Sequence, residues 1–380
     1  MAGRLWKALD TTVALSDKLN SSLSSPSPAV SDEHPSPLLL LSASTQALKS
    51  QATKISLLVI NTPFTPSAIC TILSEVNDSA LPSLTAAALL LSPAKYTQTF
   101  HGDAKTLVQD ILHELTVLIR NIKNVSIKYE ENKSFRLGED EKHGITTATG
   151  RVWKVCDQIA TIASDGVVGL VIKKAKEHLE LVQDCIRELK EWDPENDDGD
   201  DGLWDDEFGD DGEDDTQGNM GGKIGHVLAT DGDEDSEEGN RTGKLVDEKN
   251  YLLRLFTLTT QLYTAIIAHR LKKITDISIL PKICSKLDTL TACLRDLPNL
   301  VDEAAGSLYE GNLEFADAYS LKLRDRAFET IDLLREPWAI EATHSILGDK
   351  AARKEVEDKF SEWGSVWLKV ADELVKDREE

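Results

Sequence analysis

Four stretches of this sequence place apolar residues at alternating steps of four and three, the spacing that keeps one face of a helix against a neighbour. One runs Ala175, Leu179, Val182, Ile186, Leu189, and a second Ile283, Leu287, Leu290, Leu294, Leu297. A third runs Val356, Phe360, Trp363, Trp367, Val370, Leu374, and the fourth Leu107, Ile111, Leu115, Leu118, Ile122, Val125. Just before and between the positions of the first lie Lys173, Lys174, Lys176, Glu177, Glu180, Asp184, Arg187 and Glu188, a solvated face. No comparable run alternates with a period of two, so the pattern predicts an all-α chain built of antiparallel helical bundles.

Charge divides the chain. Residues 1–192 carry 20 basic and 21 acidic side chains, residues 193–239 carry 1 and 20, and residues 240–380 carry 21 and 25. Half of the 22 glycines fall between Asp193 and Gly243. That composition cannot bury enough apolar surface to offset the entropy of ordering. The expected organisation is an N-terminal helical bundle over 1–192, a disordered acidic spacer over 193–243 and a C-terminal helical bundle over 244–380. Eight of the twelve prolines lie before residue 94, which predicts short, punctuated N-terminal helices. A Ser/Pro-rich loop is expected at 24–37. Thr65-Pro66 reads as a helix start, and Pro298 and Pro337 should end or kink their helices.

A net charge of −24 opposes nucleic acid and anionic lipid, so no direct DNA binding is expected. Asp10 and Asp17 interrupt the first twenty residues, whose Leu5, Trp6, Leu9, Val13 and Leu19 keep helical spacing instead of forming a signal segment. The most apolar window, Leu84 to Leu91, falls short of the ~20 residues a membrane span needs. With five cysteines and no C-x-x-C pair, free buried thiols in a soluble intracellular protein are expected.

Site chemistry is sparse. Asp231, Asp233 and Asp235 open like a calcium loop, but Ser236 and Thr242 stand where glycine and glutamate belong. His113-Glu114 lacks the second histidine of a zinc helix, and Ile224 stands where a phosphate loop needs Ser or Thr. The reading is a non-enzyme with no metal and no cofactor. Interaction signals are richer. Leu203, Trp204 and Phe208 sit among carboxylates, a composition that either docks a basic, apolar-lined groove or folds back onto the chain's own bundle. Ser25, Ser27 and Ser36 each precede proline, and Thr230 has Asp233 three residues on; all four are candidate phosphorylation sites.

At Thr149-Gly150-Arg151-Val152-Trp153-Lys154-Val155-Cys156-Asp157 the chain resembles the cyclin-D1-binding protein 1 family, the cyclin-D-interacting, Maid-like proteins. The order of features agrees: a long amphipathic helix to Trp192, an acidic stretch with Asp205-Asp206-Glu207-Phe208, then a helical half from near Lys244. Gly150, Val152, Trp153 and Cys156 are the family-motif residues and expected core. The resemblance implies bundles akin to those of talin and vinculin, a location in nucleus and cytoplasm, and a cell-cycle role. It also implies protein partners, D-type cyclins or helix-loop-helix transcription factors, whose activity such a protein restrains as a negative regulator. A cytoskeletal or membrane-proximal adaptor of talin/vinculin type is the alternative.

Overall fold

A computed structural model describes residues 2–24, 36–132, 135–194, 234–274, 280–335, 338 and 359–379. The described residues are all-α, without a strand. In chain order the helices are α1 (Ala2–Ser24), α2 (Pro37–Ile60), α3 (Pro66–Glu75), α4 (Leu81–Leu90), α5 (Pro93–Tyr96), α6 (Gln98–Glu131), α7 (Glu139–Glu191), α8 (Glu234–His269), α9 (Leu280–Tyr309), α10 (Leu313–Leu333) and α11 (Lys359–Glu379).

Two compact units emerge, and neither follows the division expected from charge. The first comprises Met1–Glu177, Ala265–Leu294 and Asp332–Glu362, and the second His178–Thr264, Arg295–Ile331 and Trp363–Glu380. Each unit takes residues from both sides of the acidic segment, whereas the sequence reading assigned 1–192 and 244–380 to separate bundles. The chemistry inside the first unit gives the reason. The open N–H groups at the start of α6, those of Gln98 and Thr99, donate to the Asp288 carboxylate of α9 at 2.8 and 3.1 Å. The Thr99 hydroxyl adds a third bond at 3.0 Å. A helix start left without acceptors is costly, and here a residue from the C-terminal half supplies them.

In the first unit α1 runs antiparallel to α6. Trp6 Nε1 donates to Ser126 Oγ (2.9 Å) and Lys123 pairs with Asp10 (2.6 Å). The α1 stripe toward the core is Leu5, Leu9, Thr12, Ser16 and Leu23. The two buried hydroxyls cost little because each donates to its own preceding turn. Contrary to the proline count, α1 and α2 are 23 and 24 residues long. Prolines sit at helix starts, where the missing N–H is not needed: Pro37 opens α2 and Pro66 opens α3. Between α3 and α4 a wider turn at Val76–Ala80, closed by Leu81 N–H to Val76 O, makes room for the ring of Pro82. Thr97, with φ 65°, holds left-handed backbone before α6 and caps Phe100 N–H with its hydroxyl. Arg270 is buried and donates to the carbonyls of Leu334 (2.8 Å) and Arg335 (3.3 Å), with its guanidinium 4.4 Å from the Phe360 ring centre.

In the second unit the seam of α9 continues through Leu297, Val301, Ala304 and Leu308, all buried. Pro298 lies inside α9 and does not end it. The ~3 kcal/mol cost of an interior proline is outweighed by the apolar face that the uninterrupted helix buries. The seam expected in α11 also shifts. Phe360, Gly364, Trp367, Ala371 and Leu374 are buried, while Val370 is exposed and Trp363 half-buried. Gly364 decides this: a β-carbon there would lie 3.1 Å from Ile331 Cγ2, so the helix approaches on its small residues. Trp367 then reaches the core and donates to Leu258 O at 2.9 Å. The start of α8 lies inside the expected spacer, where the run Glu234-Asp235-Ser236-Glu237-Glu238 has the charge that a helix N-terminus favours.

Candidate interaction surface on the α2–α7 pair

The motif segment Thr149–Asp157 lies on α7, and its neighbour is α2. Three side-chain contacts fix the pair as antiparallel. Lys49 pairs with Asp157 at 2.5 Å, Trp153 Nε1 donates to Thr53 Oγ1 at 3.0 Å, and Ser56 shares a 2.6 Å hydrogen bond with Thr149. As position increases along α2 it decreases along α7, turn by turn. The apolar positions of α7 here are Ile145, Ala148, Val152, Cys156 and Ile159, all buried.

Val152 and Cys156 are therefore core. Burial pushes the Cys156 thiol up to about 12, with nearby Lys49 opposing the shift and Asp157 adding to it, which leaves a packing group and not a nucleophile. Trp153 corrects the expectation: it is 40% exposed. A residue directly after a core position points about 100° away around the helix, and here that turn carries Trp153 to the α2 side and partly out of the core. Gly150 is exposed as well, with open space where a β-carbon would stand. The indole keeps its N–H tied to Thr53 and is partly open to solvent, and Leu57, one turn of α2 beyond Thr53, is 52% exposed.

The surrounding segments are basic, as residues 249–275 also are. Residues 37–60 and 142–156 contain Lys49, Lys54, Lys142, Arg151 and Lys154 and no Asp or Glu. Lys49 is taken by Asp157, and Lys142 by Glu139 at 2.8 Å. Lys54, Arg151 and Lys154 are exposed and pair with no described carboxylate. The α2 residues Lys49, Thr53, Lys54 and Leu57 escaped the sequence reading. The sequence signal, the absence of acid from α2, does not single it out, since residues 249–275 carry five basic and no acidic side chains as well.

Of the other expected sites, Ser36 is exposed at the N-cap of α2 and its hydroxyl makes no capping bond. Ser25, Ser27, Leu203, Trp204, Phe208 and Thr230 lie outside the described residues. Among the described residues no three His, Cys, Asp or Glu side chains group as metal ligands. By length and composition α7 passes for a membrane span, with a stretch of mean hydropathy 1.5 that is 44% buried. Its backbone, however, breaks from helical geometry at Gly166 (φ 64°, ψ −166°), and Ile159, Ile162, Val167, Leu170 and Val171 on either side are buried in the protein.

Residues 40–195, somewhat under half of the chain, match the family described as Grap2 and cyclin-D-interacting, N-terminal. The matched region contains most of α2 and all of α7, so the resemblance read from the Thr149–Asp157 segment is supported over the residues that build this surface. A protein of Schizosaccharomyces pombe described as uncharacterised is 25% identical over 238 residues. The aligned part spans 62% of this chain and 62% of that relative, under two thirds of its length.

Proposed function

We propose, from the cyclin-D-interacting relationship of residues 40–195, that this chain is a non-catalytic regulator that works by binding other proteins in nucleus and cytoplasm. Its partners are D-type cyclins or the dimerisation helices of helix-loop-helix transcription factors, and its effect is to restrain cell-cycle progression or transcription. The observation that carries this reading is the exposure of Trp153 inside the family segment. Tryptophan is among the residues most often found at the energetic centre of protein interfaces, and an indole already held by one hydrogen bond loses little freedom on docking. The reading also agrees with the charge balance. A helical regulator without a basic arm has little hold on DNA phosphates and acts on the protein instead.

The test is isothermal titration calorimetry of the full chain against a purified D-type cyclin and against a helix-loop-helix domain. Binding to one of them at micromolar strength or better, weakened about tenfold by Trp153→Ala, is expected, a loss of about 1.4 kcal/mol. Silence with both at about 10 µM refutes the reading.

A further inference from the structure

The α2–α7 face has an apolar centre and a cationic border, in a chain whose overall charge is −24. From this we infer that it receives an acidic segment of another protein, one carrying at least one bulky apolar side chain among carboxylates. The inference rests on the binding reading above and names the chemistry of the partner at the same surface.

Three observations converge. Trp153 and Leu57 supply exposed apolar area on adjoining helices, joined by the Trp153–Thr53 hydrogen bond. Lys54 and Lys154 are exposed, one on each helix, and stand next in sequence to the bonded pair Thr53 and Trp153, whereas Arg151 lies about 200° from Trp153 round α7 and takes no part. The nearest carboxylate on the pair, Asp157, is already neutralised by Lys49. A basic partner would meet two unmatched like charges here. An uncharged apolar partner would have to cover two ammonium groups without compensation. An acidic-apolar segment satisfies both parts of the surface: the carboxylates pair at the rim, where they steer encounter, and the apolar side chain stacks on the indole.

A fluorescein-labelled twelve-residue peptide of Asp and Glu around one Leu and one Trp is the probe, with a peptide in which Lys replaces every acid as control. Anisotropy with the full chain should show the acidic peptide binding and the basic one not. Raising salt from 50 to 300 mM should weaken the complex about tenfold, because exposed charges are screened within a Debye length of ~8 Å at physiological strength. Lys54→Glu with Lys154→Glu should abolish binding while the melting temperature holds, since neither lysine has a partner to lose. Equal binding of both peptides, or no effect of the double charge reversal, overturns the inference. The chain's own Leu203–Phe208 segment has the same chemistry, so the variant Trp204→Ala/Phe208→Ala is included. A gain in peptide affinity there would mean that the face is filled from within, and would overturn assignment to a separate partner. Cyclin titrations on the charge-reversed variant keep the two readings apart. Undiminished cyclin binding sinks this inference alone, and peptide capture by a chain that ignores cyclin sinks only the partner named above.

Discussion

Replacing Trp153 and Trp367 by alanine, separately, turns the difference between a surface and a core indole into a measurement. Both side chains are tied by one hydrogen bond, Trp153 to Thr53 Oγ1 at 3.0 Å and Trp367 to Leu258 O at 2.9 Å, so that contribution nearly cancels in the comparison. Exposure does not cancel, being 40% against 3%, a difference of 37%. Applied to the roughly 250 Å² of a tryptophan, that is about 90 Å² of extra cover for Trp367, or about 2.3 kcal/mol at 25 cal/mol per Å². Residual burial in the unfolded chain trims this to about 1.5–2 kcal/mol. The cavity left beside Phe328, whose ring centre lies 6.1 Å from that of Trp367, adds to the cost of the core truncation. Trp367→Ala should therefore lose about 3–5 kcal/mol, and Trp153→Ala about 2 kcal/mol less, by urea midpoints followed by circular dichroism. Equal losses would put Trp153 in a core and would remove the physical basis for the interaction surface. A small stability loss with normal partner binding would leave the surface intact but deny the indole its central place in it.

Two further outcomes concern the first unit. Arg270→Met should cost about 3–5 kcal/mol in urea titration, because the Leu334 and Arg335 carbonyls lose charged donors inside the protein, and Arg270→Lys should recover little of it, since one ammonium does not reproduce the guanidinium fork; a neutral Arg270→Met would show that water replaces the guanidinium. His101 is buried with Nδ1 against the Leu91 carbonyl, and desolvation lowers its pKa below the ordinary 6.5, the Leu91 bond opposing the shift and Lys105 adding to it. The unfolded chain then binds the proton more readily, so this contribution is complete above pH 6.5 and declines as pH falls toward the folded value. Melting temperatures between pH 8 and 5 should fall less steeply in His101→Asn than in the parent protein, and identical slopes would refute the assignment.

Periodicity located the helices that bury one uniform face. Ile283, Leu287, Leu290, Leu294 and Leu297 are all buried, as are Ile111, Leu115, Leu118, Ile122 and Val125, while Leu107 is half-buried and its neighbour Val108 takes the inward position. It failed where small residues carry the packing. In α11 the inward positions include Gly364 and Ala371, which look unremarkable beside Val366 and Val370, yet those two valines are 60% and 41% exposed. Trp153 was misplaced for a related reason. Residue type argued for burial, whereas the spacing of Ala148, Val152, Cys156 and Ile159 already turned Trp153 outward. The partition into units was not legible at all, because it depends on contacts such as Asp288 with Thr99, 189 residues apart, which leave no mark in local sequence. The cationic border of the candidate surface was present in the composition but was hidden by averaging charge over 192 residues.

The interleaving of the two units bears on how the polypeptide is made. Synthesis is vectorial, and domains generally fold as they emerge. The first unit does not emerge in one piece, because it includes Ala265–Leu294 as well as the first 177 residues. Until Asp288 leaves the ribosome the head of α6 lacks its acceptors, and the apolar faces due to meet α9 stay uncovered. Assembly of the first unit is therefore complete only after most of the chain has been synthesised.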